Sequence, residues 1–246
     1  MDYNEENESF PEEIMDICFI AHRGYSGKFQ ENTEEAFREA VKHGSGGIET
    51  DVRTTADGVL VVNHNSTAVF TDGTELEIAS STYAELTAKP LRNRFTETEI
   101  YLCTFRKYLE VCREGNMICF IEFKGSFTDE MIEKAFTMAA EVYDLRMCEL
   151  QSFDFDTLVR AHAMFPELKI MLTCWDHNAD VDRALEHGFD IDMDYRGIDA
   201  ATVKTFHDAG LLVGLWTANT KEALEFSLGM GVDFIESDVF ANEKGE

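Results

Sequence analysis

The stretch "IETDVRTTADGVLVVNHN", Ile48 to Asn65, joins a β-branched run carrying Glu49 and Asp51 to an apolar run that stops at His64, through Asp57-Gly58. An Asp-Gly pair between apolar runs is a hairpin signal. If the chain reverses around Ala56 to Gly58, antiparallel pairing places residue 64 opposite roughly residue 49 or 51. The histidine then returns to the level of two acids that, being two apart on a strand, share one face.

Working outward, further strand-like runs appear at "ICFIA" (17–21), "MICFIEFK" (117–124), "CELQS" (148–152), "KIMLTCW" (169–175), "DIDMD" (190–194), "LLVGLW" (211–216) and "DFIES" (233–237). With "GIETDV" (47–52) they make eight. Helix-period segments lie between most of them, including Thr33–His43, Asp129–Tyr143, Asp154–Met164, Asp180–His187, Asp199–Ala209 and Thr220–Leu228. Asn32 with Glu35 reads as a capping box, and Gly44, Gly188 and Gly210 as helix stops. Alternating β and α implies a parallel sheet, and eight strands in 246 residues suggest an α/β protein of the (β/α)₈ barrel type. A doubly wound sheet is the weaker fit, because "AHRGYSG" rather than G-x-G-x-x-G follows the first strand. The run "VLVVN" (59–63) breaks the alternation and belongs to the hairpin. Residues 66–103 hold one weak helix-like piece, "STYAELTA", and read as a short insertion at the barrel mouth.

Composition narrows the function. The 48 acids against 21 Lys and Arg give a formal charge of −27, which opposes nucleic acid and anionic membrane as partners. Residues 1–16 carry seven of those acids and no Lys or Arg, and read as an acidic tail or helix ahead of a single domain over 17–240. That segment lacks a signal peptide's basic and apolar regions, and no apolar run approaches a membrane span, so a cytoplasmic protein is expected. Six scattered cysteines without a C-x-x-C suit reduced core positions better than zinc or disulfides. The oligomeric state is left open.

In a parallel barrel, chemistry sits at the C-terminal strand ends. Those ends hold His22 and Arg23 after the first strand, Glu49 and Asp51 on the second, Glu122 and Lys124 on the third, and Trp216 on the seventh. Converging carboxylates need compensation, and an oxygen-only set suits Mg²⁺ or Ca²⁺ better than zinc. The alternative is a set of rim salt bridges with Arg53 and Lys124. His22 and His64 at one rim can act as a general acid and base. Arg23 and Lys124 are the groups able to hold a phosphate. Trp216 is equally a wall of the mouth or packed core.

Taken in order, "AHRG" (21–24), "ENTEEAF" (31–37), "IETDVRTTADGVLVVNH" (48–64), "IEFK" (121–124) and "WTAN" (216–219) resemble the glycerophosphodiester phosphodiesterase family, from about Ile17 to Phe240. The resemblance implies a TIM-type barrel that uses one divalent cation, Mg²⁺ or Ca²⁺, to hydrolyse glycerophosphodiesters to sn-glycerol 3-phosphate and an alcohol. It implies Glu49, Asp51 and Glu122 as metal ligands and His22 and His64 as the acid/base pair. Arg23, Lys124, Glu31, Asn32 and Trp216 would serve the substrate, a small-molecule phosphodiester.

Two departures stand out. The family usually has an acid after the second histidine, where this chain has Asn65, and "SDVF" (237–240) keeps Asp238 without the usual proline. A related phosphodiesterase or phosphotransferase acting on lysophospholipids, and a catalytically weak barrel that binds a phosphorylated ligand, are the alternative readings.

Overall fold

The structure, a computed structural model, describes residues 17–240, so the acidic segment 1–16 lies outside the described residues. The chain opens with β1 (Cys18–Ala21), α1 (Glu34–Lys42), β2 (Gly47–Thr54) and the return strand β3 (Leu60–Val62). An insertion follows, made of the hairpin β4 (Thr67–Val69) and β5 (Glu75–Glu77) and the one-turn helix α2 (Tyr83–Leu86). After α3 (Phe105–Gly115) the alternation is regular: β6 (Ile118–Phe123), α4 (Asp129–Val142), β7 (Cys148–Ser152), α5 (Phe155–Met164), β8 (Lys169–Cys174) and α6 (Ala179–His187). It ends with β9 (Asp190–Asp194), α7 (Ala200–Asp208), β10 (Val213–Trp216), α8 (Lys221–Met230) and β11 (Phe234–Ser237).

Strands β1, β2, β6, β7, β8, β9, β10 and β11 pair in parallel in that order, and β11 closes on β1. The expected (β/α)₈ barrel is therefore the fold. The hairpin is present too, with Val52 opposite Val62 and Thr54 opposite Leu60. The Asn63 amide donates to the Asp51 carbonyl at 2.9 Å, which carries the ladder to the level of the acids.

Two local readings are corrected. Asn32 does not cap α1: Thr33 does, its side chain accepting from the Ala36 amide, while Asn32 sits at φ 56° with its side chain turned into the barrel. Helix α3 was not among the segments read as helical. Its buried Phe105, Tyr108, Leu109 and Cys112 carry the i, i+3, i+4, i+7 spacing, next to an insertion without clear periodicity.

The insertion has its own small core of Val61, Phe70, Ile78, Leu86, Leu91 and Leu102. It is a packed appendage on the β2–β3 side of the mouth rather than a bare loop.

Side chains fill the lumen in layers, as barrel geometry requires. Ile20, Phe120, Met171 and Phe234 plug the base, with the Phe120 and Phe234 rings 5.2 Å apart edge to face. Gly47 makes room for this plug, since a Cβ there would lie 2.8 Å from the Phe120 ring. Above the plug the lumen turns polar: Glu49, Asp51, Glu122, Gln151, Thr173, Asp192 and Glu236 are all buried. Buried acids at this density mark a site rather than a stabilising core.

Candidate active site

The polar layer is assembled by strand parity. Glu49 and Asp51 leave β2 on the lumen side, and Asp51 is in register with Glu122 on β6. One carboxylate oxygen from each of Glu49, Asp51 and Glu122 lies within 4.8 Å of the others. Glu49 Oε1, Asp51 Oδ1 and Glu122 Oε1 are buried without a hydrogen-bond partner. The Lys124 ammonium nevertheless pairs in charge with Glu122 Oε1 at 2.6 Å and with Asp51 Oδ1 at 3.3 Å. Three buried oxygens converging from three carboxylates fit a hard divalent cation.

The first βα loop braces these acids. The Arg23 amide donates to Glu49 Oε2 at 2.8 Å, and the Arg23 guanidinium lies 3.2 Å from Asp51 Oδ2 and 3.1 Å from Glu31 Oε2. Asn32 donates to Asp51 Oδ2 at 2.7 Å while its carbonyl oxygen accepts from the Thr50 hydroxyl at 2.6 Å. Arg23 and Asn32 both adopt positive φ, 58° and 56°, without being glycine. Such backbone is held against its preference where side-chain direction matters. Glu31 and Asn32 thus reach the site through Arg23 and Asp51.

Electrostatics separates the three acids. Burial, then the charges of Asp51 and Glu236, raise Glu49 well above the usual carboxylate range. Burial and Asp51 push Glu122 up to about 7 against the pull of Lys124. Burial would raise Asp51 as well, but Arg23, Lys124 and the Asn32 hydrogen bond outweigh it and hold Asp51 low.

The two histidines differ in surroundings. His22 Nδ1 is 2.6 Å from Asp238 Oδ1, and Asp238 in turn accepts from the Ser26 hydroxyl at 2.8 Å and from the Asn219 amide. Although burial opposes it, the hydrogen bond and charge of His22 hold Asp238 down at about 2. Asp238 fixes the ring with Nδ1–H toward the carboxylate, which leaves Nε2 for chemistry. His64 Nδ1 faces the Asn65 side-chain oxygen at 3.2 Å. Burial lowers the His64 pKa, and Arg23 and Lys124 lower it further against the pull of Asp51. The Arg53 guanidinium pins the Asn63 and His64 carbonyls.

Trp216 is half-buried at the mouth, its indole 4.5 Å from Trp175 and 5.9 Å from Phe153. Lys124 lies over the Phe153 ring at 5.6 Å. Phe153 and Trp175, 60% exposed, extend the aromatic wall on the far rim and were not singled out from sequence. A groove of about 270 Å³ opens on the other side, between Glu31, Asn65 and the insertion residues Arg92 and Arg94.

A profile of the glycerophosphoryl diester phosphodiesterase family matches residues 22–241. The chain belongs to that family, which is one of hydrolases. It is 29% identical over 235 residues to a glycerophosphodiester phosphodiesterase of Caldanaerobacter subterraneus, covering 91% of this chain and 95% of that protein. A glycerophosphodiester phosphodiesterase of Bacillus altitudinis is 27% identical over 228 residues, 89% of this chain and 93% of the other. Among solved structures, a glycerophosphodiester phosphodiesterase of Parabacteroides distasonis superposes with a TM-score of 0.76 at 26% identity, covering 91% of this chain and 93% of that one. An Oleispira antarctica phosphodiesterase, whose structure is in complex with the product sn-glycerol-3-phosphate, shares the fold at a TM-score of 0.76 and 24% identity, over 90% of this chain and 92% of the other.

The family member's polar lumen exceeds what sequence reasoning selected. Asp192, Gln151 and Glu236 were not picked out as site residues, although "CELQS", "DIDMD" and "DFIES" each place a polar side chain at the lumen parity of a buried strand. A polar residue in an apolar strand of a barrel is the signal that was available.

Proposed function

We propose that this protein hydrolyses glycerophosphodiesters to sn-glycerol 3-phosphate and an alcohol, with one divalent cation and two histidines. The observation that carries the reading is the convergence of Glu49, Asp51 and Glu122 between Arg23 and Lys124, with His22 and His64 on the same rim. When bound by Glu49, Asp51 and Glu122, a cation such as Mg²⁺ or Ca²⁺ would supply Lewis-acid neutralisation of the phosphate oxygens.

The chain's own groups do the rest. Arg23 and Lys124 bind the phosphate, with Glu31 and Asn32 setting their aim through Arg23 and Asp51. His64, its pKa lowered, is neutral at neutral pH and takes a proton from the attacking hydroxyl. His22, oriented by Asp238, delivers a proton from Nε2 to the leaving alkoxide. Trp216 excludes water on the substrate's outer side.

The exposed rings of Phe153 and Trp175 favour a second reading, in which the same chemistry acts on a lysophospholipid whose chain lies along that wall. The six cysteines are all free thiols, which supports a reducing, cytoplasmic location. Among the described residues no helix is long and apolar enough to cross a membrane.

The test is direct. Glycerophosphocholine and lysophosphatidylcholine are incubated with the protein and Mg²⁺ or Ca²⁺, and products are read by phosphorus NMR. Release of glycerol 3-phosphate that His22→Ala and His64→Ala abolish is expected; unchanged turnover in both variants refutes the two-histidine scheme.

A further inference from the structure

The lumen acids extend beyond the three described above. Asp192 and Glu236 are buried beside Glu49, Asp51 and Glu122, and His22 faces Glu236. Polar groups at this depth need a partner.

These side chains bring together a second group of ligating atoms. A ring nitrogen of His22 and one carboxylate oxygen each from Glu49 and Glu236 lie within 4.8 Å of one another. Glu236, 4% exposed, is held by the Gln151 amide at 2.8 Å, and the same amide lies 3.4 Å from Asp192 Oδ2. Glu49, 1% exposed, gives Oε2 to the Arg23 amide, and its Oε1 has no partner. Asp238 occupies His22 Nδ1, so the lone pair available to a cation is that of Nε2.

We propose that His22, Glu49 and Glu236 form a second divalent-cation site that shares Glu49 with the first. One imidazole nitrogen and two carboxylates suit a first-row transition ion such as Mn²⁺, Co²⁺ or Zn²⁺, unlike the oxygen-only set beside it. Filling it ties up the Nε2 lone pair, so that His22 can no longer carry a proton. On the reading in Proposed function, on which this consequence rests, an excess of transition metal inhibits the Mg²⁺-loaded enzyme.

Co²⁺ is the probe, because its visible d–d absorption responds to coordination number and geometry as each site fills. Titration of the metal-free protein is expected to give two Co²⁺ equivalents in the wild type and one in Glu236→Gln, with folding verified by circular dichroism. His22→Gln should lose the same equivalent, and stands in if Glu236→Gln does not fold. Added Co²⁺ should slow the Mg²⁺-loaded wild type at least tenfold and spare Glu236→Gln. A single equivalent in the wild type, or two in a folded Glu236→Gln, overturns the site. Absence of glycerol 3-phosphate release overturns the proposed hydrolysis and leaves the Co²⁺ count readable, so the two failures are distinct.

Discussion

Replacing Asn65 by aspartate tests the assignment of His64 as the base. The Asn65 oxygen lies 3.2 Å from His64 Nδ1, so Asn65→Asp sets a full negative charge where a neutral amide now accepts. At that distance a charge pair is worth about 1.3 kcal/mol in a water-like dielectric. Residue 65 is exposed and His64 only half-buried, so screening reduces the effect and the water-like limit applies. That corresponds to a rise of up to roughly one unit in the His64 pKa.

The sign follows from the role. Burial, Arg23 and Lys124 hold His64 below its ordinary value, keeping the imidazole unprotonated and able to accept. A carboxylate at 65 favours the imidazolium, so the acid limb of the rate profile moves to higher pH. Below the limb the rate falls up to about tenfold, and above it the rate holds or rises slightly because the base is stronger. The assay is kcat/KM across the pH range at fixed ionic strength, beside an NMR titration of the His64 ring. If the NMR pKa rises while the acid limb stays put, His64 is not the base and the scheme fails.

Glu122→Gln keeps the shape of a ligand but removes its charge; calorimetry should show the Mg²⁺ equivalent lost and turnover reduced roughly 10²-fold or more. Asp238→Asn leaves His22 without the carboxylate that orients it, and kcat should fall roughly 10²-fold with KM little changed, because the residue meets the ring and not the substrate. Phe120→Ala empties the barrel plug and should cost about 3–5 kcal/mol, read as a fall of roughly 10 °C in thermal unfolding.

The barrel and the hairpin were legible because both are written in short-range pattern. Strand runs alternating with helical periods specify parallel pairing, and Asp57-Gly58 specifies the reversal. Two things were not legible. The side chain of Asn32 is used on Asp51 of the neighbouring strand, so its place before a helix suggested a cap that Thr33 supplies. Glu236 and Asp192 belong to the site only because barrel closure brings β9 and β11 round to β2. No local spacing relates residue 236 to residue 49, and only a lumen-parity argument over all eight strands would have joined them.

The opening segment gains its meaning from how β2 changes partner. Residues 47–52 of β2 pair with β6 inside the barrel, and residues 52–54 pair with β3 outside it. Val52 is shared by both ladders. Glu49 and Asp51 therefore stand on the barrel part, and His64 follows the strand that is hydrogen-bonded to the same strand's extension. Arg53, between the two, ties the carbonyls of Asn63 and His64 with its guanidinium. A histidine carried on a free loop would have to be ordered afresh at each turnover, at the entropic cost of fixing several residues. Here its backbone is set by the ladder that sets the acids, so the distance between the carboxylates and the proposed base is a property of one continuous strand pair. That is a physical reason for joining two acids to a histidine through a tight turn, and it implies that loosening the Asp57-Gly58 turn would reach the chemistry through His64 before it reached the barrel.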